Sequence, residues 1–282
     1  MTTGDAALQA GAVAEARIRA QPGAVRSTAQ ALWPSVFGFI AFFGVWELAV
    51  RATNTPAFVL PTPSAVAGRF WSDLPMLLGE LSYTLTAAAI GLFIGLVVGV
   101  AGAVLMVHWR ILERSLFPIA VLVKLIPFVA IAPLLIVWLG FDLKPKILLA
   151  ALITFFPVLV NCITGLRATD PLALEFFRSV GASRWETLVR LRWHGSLPYL
   201  FAALKITLHL AIVGAIVGEY FGSRQGIGMV IARTSESLQI QAMFAAAFLL
   251  AIVGIALVVL TNIAERRALY WHESVRTSGG GG

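Results

Sequence analysis

The run EFFRSVGASRWETLVRLRWHGSLP, residues 175–198, is the longest strongly charged stretch between two apolar blocks of the chain. It carries four arginines and two glutamates, namely Arg178, Arg184, Arg190, Arg192, Glu175 and Glu186. The blocks on either side of it are long and apolar enough to cross a membrane. A charged segment between two such blocks is predicted to lie outside the bilayer, where it faces water or a partner.

The composition of the whole chain is that of a membrane protein. Of the 282 residues, 59% are hydrophobic and only 12% are charged, and the mean hydropathy is +0.88. A soluble domain is about 45–50% apolar and about 25% charged, and so apolar a chain would expose large apolar patches in water. The apolar runs are tens of residues long, which predicts helices and excludes the short alternating strands of a barrel.

We therefore predict an all-α polytopic fold with six membrane-spanning helices. The predicted spans are residues 33–50, 82–107, 115–139, 146–163, 197–218 and 242–263. They form one transmembrane domain over residues 33–264, flanked by an N-terminal tail (1–32) and a C-terminal tail (265–282). The N-terminal tail has no apolar core, so a cleaved signal peptide is not expected.

Prolines, capping residues and charges refine this expectation. The third span is predicted to be kinked by three prolines, Pro118, Pro127 and Pro133. In the outer loop before the second span, Ser64 is predicted to cap a short helix that ends near Trp71. The charged run over residues 108–114 is predicted to be a short turn.

Two lines of small residues predict close helix packing. The second span carries Gly91, Gly95, Gly99 and Ala103, and the fifth carries Gly214, Gly218 and, just after it, Gly222. A small residue on every fourth position leaves one helix face as bare backbone, which another helix can approach closely.

The distribution of Lys and Arg predicts the orientation in the membrane. With the N-terminus inside, thirteen of these residues lie in cytoplasmic pieces and six lie in outer loops. Positive charge concentrates on the cytoplasmic side, so both termini and residues 165–196 are predicted to be cytoplasmic. We attribute the net charge of +7 to this rule, and no nucleic-acid partner is expected.

Local signals predict two helices within residues 165–196. Asp170 and Pro171 open the first helix, and Gly181 ends it because glycine takes a positive φ without strain. A capping box of Ser183 and Glu186 opens a second, short helix that lies along the membrane. It is predicted to present Trp185, Leu188 and Val189 on one side. These two helices and the glycine turn between them would dock in a groove of a partner protein. The alternative is a solvated basic loop held by lipid headgroups.

This segment resembles the cytoplasmic loop of binding-protein-dependent ABC importer permeases. The residues that fall at the family's spacing are Glu175, Gly181, Ala182 and Pro198. The sequence departs from the family where Phe176 and Phe177 replace two alanines, Leu188 replaces the usual Phe, and Trp193-His194 replaces a Leu-Pro pair. Four further stretches, residues 60–66, 126–141, 155–161 and 218–231, resemble the nitrate/sulfonate/taurine-type permeases.

The resemblance implies a type I ABC importer permease architecture in the cell (inner or plasma) membrane. Two copies of the permease would form the pathway, two ATPase subunits would bind ATP and Mg²⁺ beneath, and a soluble binding protein or lipoprotein would deliver the solute. The implied ATPase-coupling residues are Glu175, Gly181, Ala182, Ser183, Arg184, Trp185, Leu188 and Pro198. The chain has no Gly-Lys pair, so it has no phosphate loop of its own, and no catalytic or metal-binding residues are expected in it.

The cargo implied by the resemblance is a sulfonate, taurine or nitrate-like anion, with a pyrimidine precursor of thiamine or riboflavin as the alternative. Lys124 and Lys205 lie inside predicted spans and are candidates for the pathway, or else they snorkel or pair with a carboxylate. Glu219 is interpreted as a partner between helices. Two other classes fit less well than the family. A stand-alone secondary transporter or channel would transport without an ATPase. A membrane-embedded enzyme would need clustered His, Asp and Glu at membrane depth, and the spans offer no such cluster.

Overall fold

The computed structural model describes residues 28–268, which are almost entirely helical and contain no strand. Its helices are α1 (Thr28–Ala52), α2 (Pro63–His108), α3 (Arg110–Leu125), α4 (Phe128–Leu139), α5 (Leu143–Arg167), α6 (Pro171–Ser179), α7 (Arg184–Gly222), α8 (Ile227–Glu236) and α9 (Ile240–Ala268). The predicted all-α class is confirmed. The predicted tails fall mostly on residues 1–27 and 269–282, which lie outside the described residues.

Four of these helices, α2, α5, α7 and α9, are long and apolar enough to cross a membrane. A fifth span is counted if the sharply bent pair α3–α4 is taken as one. The predicted first span, residues 33–50, lies within α1, which belongs to a separate unit, Met1–Thr55. Within α1, Arg51 forms an ion pair of 2.6 Å with Glu47 one turn earlier. A multi-pass membrane protein is confirmed, and the total of six spans stays a prediction.

Helix α2 differs from its prediction, because one helix of 46 residues replaces a short capped helix, a loop and a span. Thr62, and not Ser64, is the N-cap: its hydroxyl accepts a hydrogen bond of 3.3 Å from the Ala65 amide, and Pro63 occupies the first turn. Pro75 lies inside the helix without ending it. Leu77 and Leu81 nearby are buried against α8 and α9, and this packing offsets the backbone hydrogen bond that the proline removes.

The third span is also corrected. The charged run after His108 is not a turn, since only Trp109 separates α2 from α3. Of the three prolines, only Pro127 interrupts the helix, and α3 and α4 meet there at a bend of 96°. Ile126 is extended there, as expected for a residue that precedes proline.

Helix α5 lies at the centre of the fold, between α2 and α7. Both predicted glycine lines face it except at Gly222, which faces Ile136 of α4 and Phe141. Their interpretation as packing surfaces is confirmed. A Cβ at Gly91 would lie 2.4 Å from Ala150 Cβ, and a Cβ at Gly214 would lie 2.7 Å from Ala150 Cα. The same holds for Gly95 against Thr154. Ala150 is therefore held between two bare helix backbones.

The chain turns fall into two groups, which define two ends of the molecule. At one end, which we call the His108 end, Glu113 and Arg167 form an ion pair of 2.6 Å, and α6 lies close to His108. At the other, the Gly222 end, Lys146 contacts Gly222 and the turn before α8 contacts Glu80. Which end faces the cytoplasm stays a prediction.

Candidate functional site

The segment over residues 165–196 lies at the His108 end, and its first helix begins and ends as predicted. The Asp170 carboxylate accepts a hydrogen bond of 3.0 Å from the Leu172 amide and caps α6. The chain turns away from α6 at Gly181, two residues after the helix ends. Gly181 has φ +73°, a conformation that costs glycine little. The Ala182 amide then donates to the Phe177 carbonyl at 2.9 Å, which satisfies one of the last carbonyls of the helix.

The second helix begins as predicted but does not end where predicted. Ser183 and Glu186 form the capping box: the Ser183 hydroxyl accepts from the Glu186 amide at 3.2 Å, and the Glu186 carboxylate accepts from the Ser183 amide at 2.9 Å. After a π-helical turn over Thr187–Arg192, the helix continues without a break into the membrane span, with Pro198 inside it. The prediction of a separate short helix along the membrane is therefore wrong, because residues 184–192 form the first part of α7.

Helix α6 has two opposed faces. Leu172, Phe176 and Val180 are spaced by four residues and are 74%, 62% and 61% exposed. Leu174 and Arg178, offset by two residues and hence by roughly half a turn, line a cavity of about 440 Å³ on the inner side of the segment. The outer face of α6 is thus apolar and uncovered within the described residues.

The coupling residues inferred from the sequence separate into an outer and an inner group. Trp185 is 64% exposed, and Glu175 is exposed as well. Arg184 is exposed too, but it also lines the inner cavity. Leu188 is instead buried in a core cluster with Met106 and Leu166. The prediction that Trp185, Leu188 and Val189 share one side is therefore wrong, because α7 turns Leu188 toward the core while the other two stay exposed. Ala182 lines the inner cavity, and Pro198 is partly buried within α7.

The two lysines proposed for the pathway contact different helices. Lys124, in the last turn of α3, is exposed and places its ammonium 4.9 Å from the centre of the Phe156 ring. Lys205 forms an ion pair with Glu265 of α9, so its charge is compensated inside the chain. This contact agrees with the alternative in which Lys205 pairs with a carboxylate.

Lys146 is a functional candidate that the sequence analysis missed. Its side chain is fully buried and donates hydrogen bonds to three carbonyls, those of Phe141, Asp142 at 2.7 Å and Gly222 at 3.1 Å. It therefore joins the beginning of α5 to the end of α7. The charge count treated Lys146 as an outer-loop residue. Its position directly after Pro145, at the start of an apolar run, could have indicated that its side chain is buried.

Glu219 lies in a buried polar cluster at the Gly222 end, and its interpretation as a partner between helices is confirmed. One carboxylate oxygen accepts from the Thr84 hydroxyl at 2.9 Å and from the Gly228 amide at 2.8 Å. Thr84 in turn accepts from the Ile227 amide at 2.9 Å, and Glu80 accepts from the Gly226 amide. The first amides of α8 are thus capped by side chains of two other helices, an arrangement that also places negative charge at the positive end of the α8 dipole.

Comparison with known proteins gives a consistent answer. The family model described as "Binding-protein-dependent transport system inner membrane component" matches residues 64–270. The chain is 35% identical over 255 residues to a riboflavin transport system permease protein of Chloroflexus aurantiacus, covering 89% of this chain and 95% of that protein. It is 32% identical to a formylaminopyrimidine transport permease protein of Halalkalibacterium halodurans, covering 80% of this chain and 90% of that protein.

A further relative is a putative aliphatic sulfonates transport permease protein of Bacillus subtilis, which is 30% identical and covers 82% of this chain and 84% of that protein. Among solved structures, a chain of the inward-facing MetNI methionine ABC transporter has a TM-score of 0.60 at 20% identity. That match covers 68% of this chain and 96% of the other. It shows the same fold.

Proposed function

This chain belongs to the family of binding-protein-dependent transport system inner membrane components, and from that premise we propose that residues 165–196 couple it to a separate ATPase. The chain is a permease subunit of an ABC importer. In the proposed assembly, two copies form the solute pathway, two ATPase subunits bind ATP and Mg²⁺, and a soluble binding protein or lipoprotein delivers the solute. Closure of the ATPase pair would move the two segments and shift the pathway between its inward-facing and outward-facing states.

The observation that carries this proposal is the outer face of α6 together with Trp185. Four large apolar side chains are more than half exposed within about fifteen residues of chain, and the caps at Asp170 and Ser183 fix the backbone that presents them. An exposed apolar patch bordered by a charged residue, here Glu175, marks a surface that docks another protein. An amphipathic helix laid into a groove is a recurrent mode of such docking.

The same proposal places the His108 end in the cytoplasm. That end carries Arg167 and the four arginines of residues 175–198, and positive charge near spans favours the cytoplasmic side. The Gly222 end, with the cap of α8, would then face the binding protein.

For the cargo, we propose a small solute of the kind carried by the named relatives. A nitrogen heterocycle such as riboflavin or a thiamine pyrimidine precursor is supported by the relatives of 35% and 32% identity. A sulfonate, taurine or nitrate-like anion remains the second candidate, supported by the sulfonate relative. The ion pair of Lys205 with Glu265 weakens the case for an anion, because it leaves exposed Lys124 as the stronger candidate of the two lysines.

The coupling proposal is tested by co-purification with the cognate ATPase from membranes that express all subunits. The variants Phe176→Ala and Trp185→Ala should weaken association about tenfold or more, the effect expected of interface anchors. The matched control is Phe58→Ala, which removes an aromatic ring that is 56% exposed before the start of α2. Equal loss in the control, or full association and transport in both variants, would contradict the proposal.

A second measurement separates the importer from a stand-alone transporter or channel. Vesicles that hold the whole complex with a catalytically dead ATPase should take up no solute. Uptake by vesicles that hold this chain alone would overturn the assignment of an ATP-driven cycle. For the cargo, the ligand that raises the melting temperature of the cognate binding protein identifies the solute.

A further inference from the structure

A cavity of about 440 Å³ lies at the His108 end, between α6, the first turns of α7 and the last turn of α2. Its charged and polar lining consists of Arg178, Arg184, Arg192, His108 and Thr187, and the remaining lining residues are apolar. Among residues 28–268, no carboxylate lines it. Three guanidinium groups thus share one concave space with a histidine.

The positive charge of this cavity is not compensated within residues 28–268. None of the three arginines forms an ion pair with a described carboxylate. Glu113 binds Arg167 at 2.6 Å, and Glu186 accepts hydrogen bonds from Ser183. Glu175, three residues before Arg178, does not line the cavity and forms no ion pair with a described arginine. Arginine stays charged at every physiological pH, so the cavity holds a fixed positive charge.

The cavity lies on the inner side of α6, away from the apolar face proposed to contact the ATPase. Leu174 and Arg178 line it, while Leu172 and Phe176 point to the other side of the same helix. A group bound in the cavity would therefore contact α6, α7 and the end of α2 at once, without covering the outer face.

We propose that this cavity binds a phosphate group through Arg178, Arg184 and Arg192. The planar guanidinium presents paired N–H donors that match the oxygens of a phosphate, and such charge-assisted hydrogen bonds are about twice as strong as neutral ones. Two sources share this chemistry: the headgroup of an anionic phospholipid, since basic pockets between helices at the inner membrane face bind such lipids, and a free phosphate from solution. Bound phosphate offsets part of the charge of the three arginines and holds α6 against the membrane part of the chain.

The test uses the purified full-length chain in two lipid environments. In nanodiscs of phosphatidylcholine alone, inorganic phosphate is titrated against chloride at constant ionic strength, and the melting temperature is followed. In nanodiscs that also contain phosphatidylglycerol, the lipid retained by the protein is counted by native mass spectrometry. Saturable stabilisation by phosphate in the first environment identifies free phosphate as the ligand. Retained phosphatidylglycerol in the second identifies the lipid headgroup. Either result supports the proposal that the cavity binds a phosphate group.

The double variant Arg178→Gln/Arg192→Gln should weaken binding of whichever probe binds by about tenfold or more, because each removed pair of charged hydrogen bonds is a large share of the affinity. The control is Arg190→Gln, which removes one positive charge from an exposed position that does not line the cavity. Its affinity should stay within about twofold of the original, the small effect expected of a screened surface charge. Equal loss in both variants, or no saturable binding of either probe to the unaltered chain, overturns the proposal.

Discussion

The Thr84 hydroxyl donates a hydrogen bond of 2.9 Å to the Glu219 carboxylate and so joins α2 to α7 across 135 positions of sequence. Both side chains are buried. The same two residues accept the first amides of α8, at Ile227 and Gly228. Three helices therefore meet at one pair of side chains, and the position of α8 depends on it.

Thr84→Ala should destabilise the protein by about 1–3 kcal/mol, since it leaves a buried amide and a buried carboxylate oxygen with fewer partners. Thermal or denaturant unfolding in detergent measures the change. The control is Thr86→Ala on the same helix, whose exposed hydroxyl bonds only to the Ser82 carbonyl. A similar loss in both variants would show that the contact with Glu219 has no special weight.

Lys146→Met should destabilise by about 2–4 kcal/mol, because methionine fills a similar volume but leaves the three carbonyls around the ammonium without their donor. Lys144→Met serves as the control, since Lys144 is exposed two residues earlier and should tolerate the change. We expect the Lys146 variant to unfold at lower temperature than the control. Equal melting temperatures would contradict the structural role of Lys146.

Glycine-to-alanine substitutions should have opposite signs at two positions of α2. At Gly91 the new Cβ would lie 2.4 Å from Ala150 Cβ and 2.7 Å from the Ile147 carbonyl oxygen, so α5 would have to move away. Gly79 has no atom within 4 Å of the new Cβ, and alanine should stabilise the helix there by about 0.5–1 kcal/mol. Comparison of the two melting temperatures tests the packing surface, and stabilisation by Gly91→Ala would refute it.

Gly181 is expected to be replaceable by asparagine but not by valine. Its φ is +73° and a Cβ would meet no atom within 4 Å, so conformation and not space limits the choice. Asparagine tolerates this region, whereas a β-branched residue there is a true outlier. Gly181→Val should impair association with the ATPase while the chain still inserts in the membrane, and Gly181→Asn should retain association. Equal behaviour of the two variants would count against the turn.

The contribution of the ion pair between Lys205 and Glu265 to stability can be measured by exchanging the two charges. Lys205→Glu places two carboxylates together and should lower stability by about 1 kcal/mol, the scale of a partly exposed pair. The double variant Lys205→Glu/Glu265→Lys should recover most of that loss. Failure of the second change to rescue the first would show that the two side chains do not interact.

Much of the fold could be predicted because it depends on local patterns. Apolar runs identified the four helices long enough to cross a membrane, α2, α5, α7 and α9. The spacing of Gly91 and Gly95 identified the face against α5. Turn chemistry was equally readable: Gly181 has a positive φ, and Ser183 forms its capping box with Glu186. Each of these signals lies within a few residues and needs no knowledge of distant packing.

The errors have a different physical origin, since they concern contacts between distant segments. The predicted helix boundaries near Trp71 and at residue 197 are wrong. Helices α2 and α7 continue through Pro75 and Pro198 because their neighbours pack against other helices. Charge counting placed Lys146 in a loop, although its buried ammonium is surrounded by carbonyls from the end of α7 and from the turn before α5. Leu188 was grouped with exposed neighbours, because the helical period alone does not say which face the core covers.

The unbroken course of α2 has a mechanical consequence. Between Glu80 and His108 it contains no proline and spans about 42 Å at 1.5 Å per residue, and its glycines are pressed against α5. One end helps hold α8 through Glu80 and Thr84, and the other borders the arginine-lined cavity. An unbroken helix of this kind does not bend when one of its ends is displaced. A tilt of α2 at one end of the molecule therefore moves the residues that it contacts at the other end.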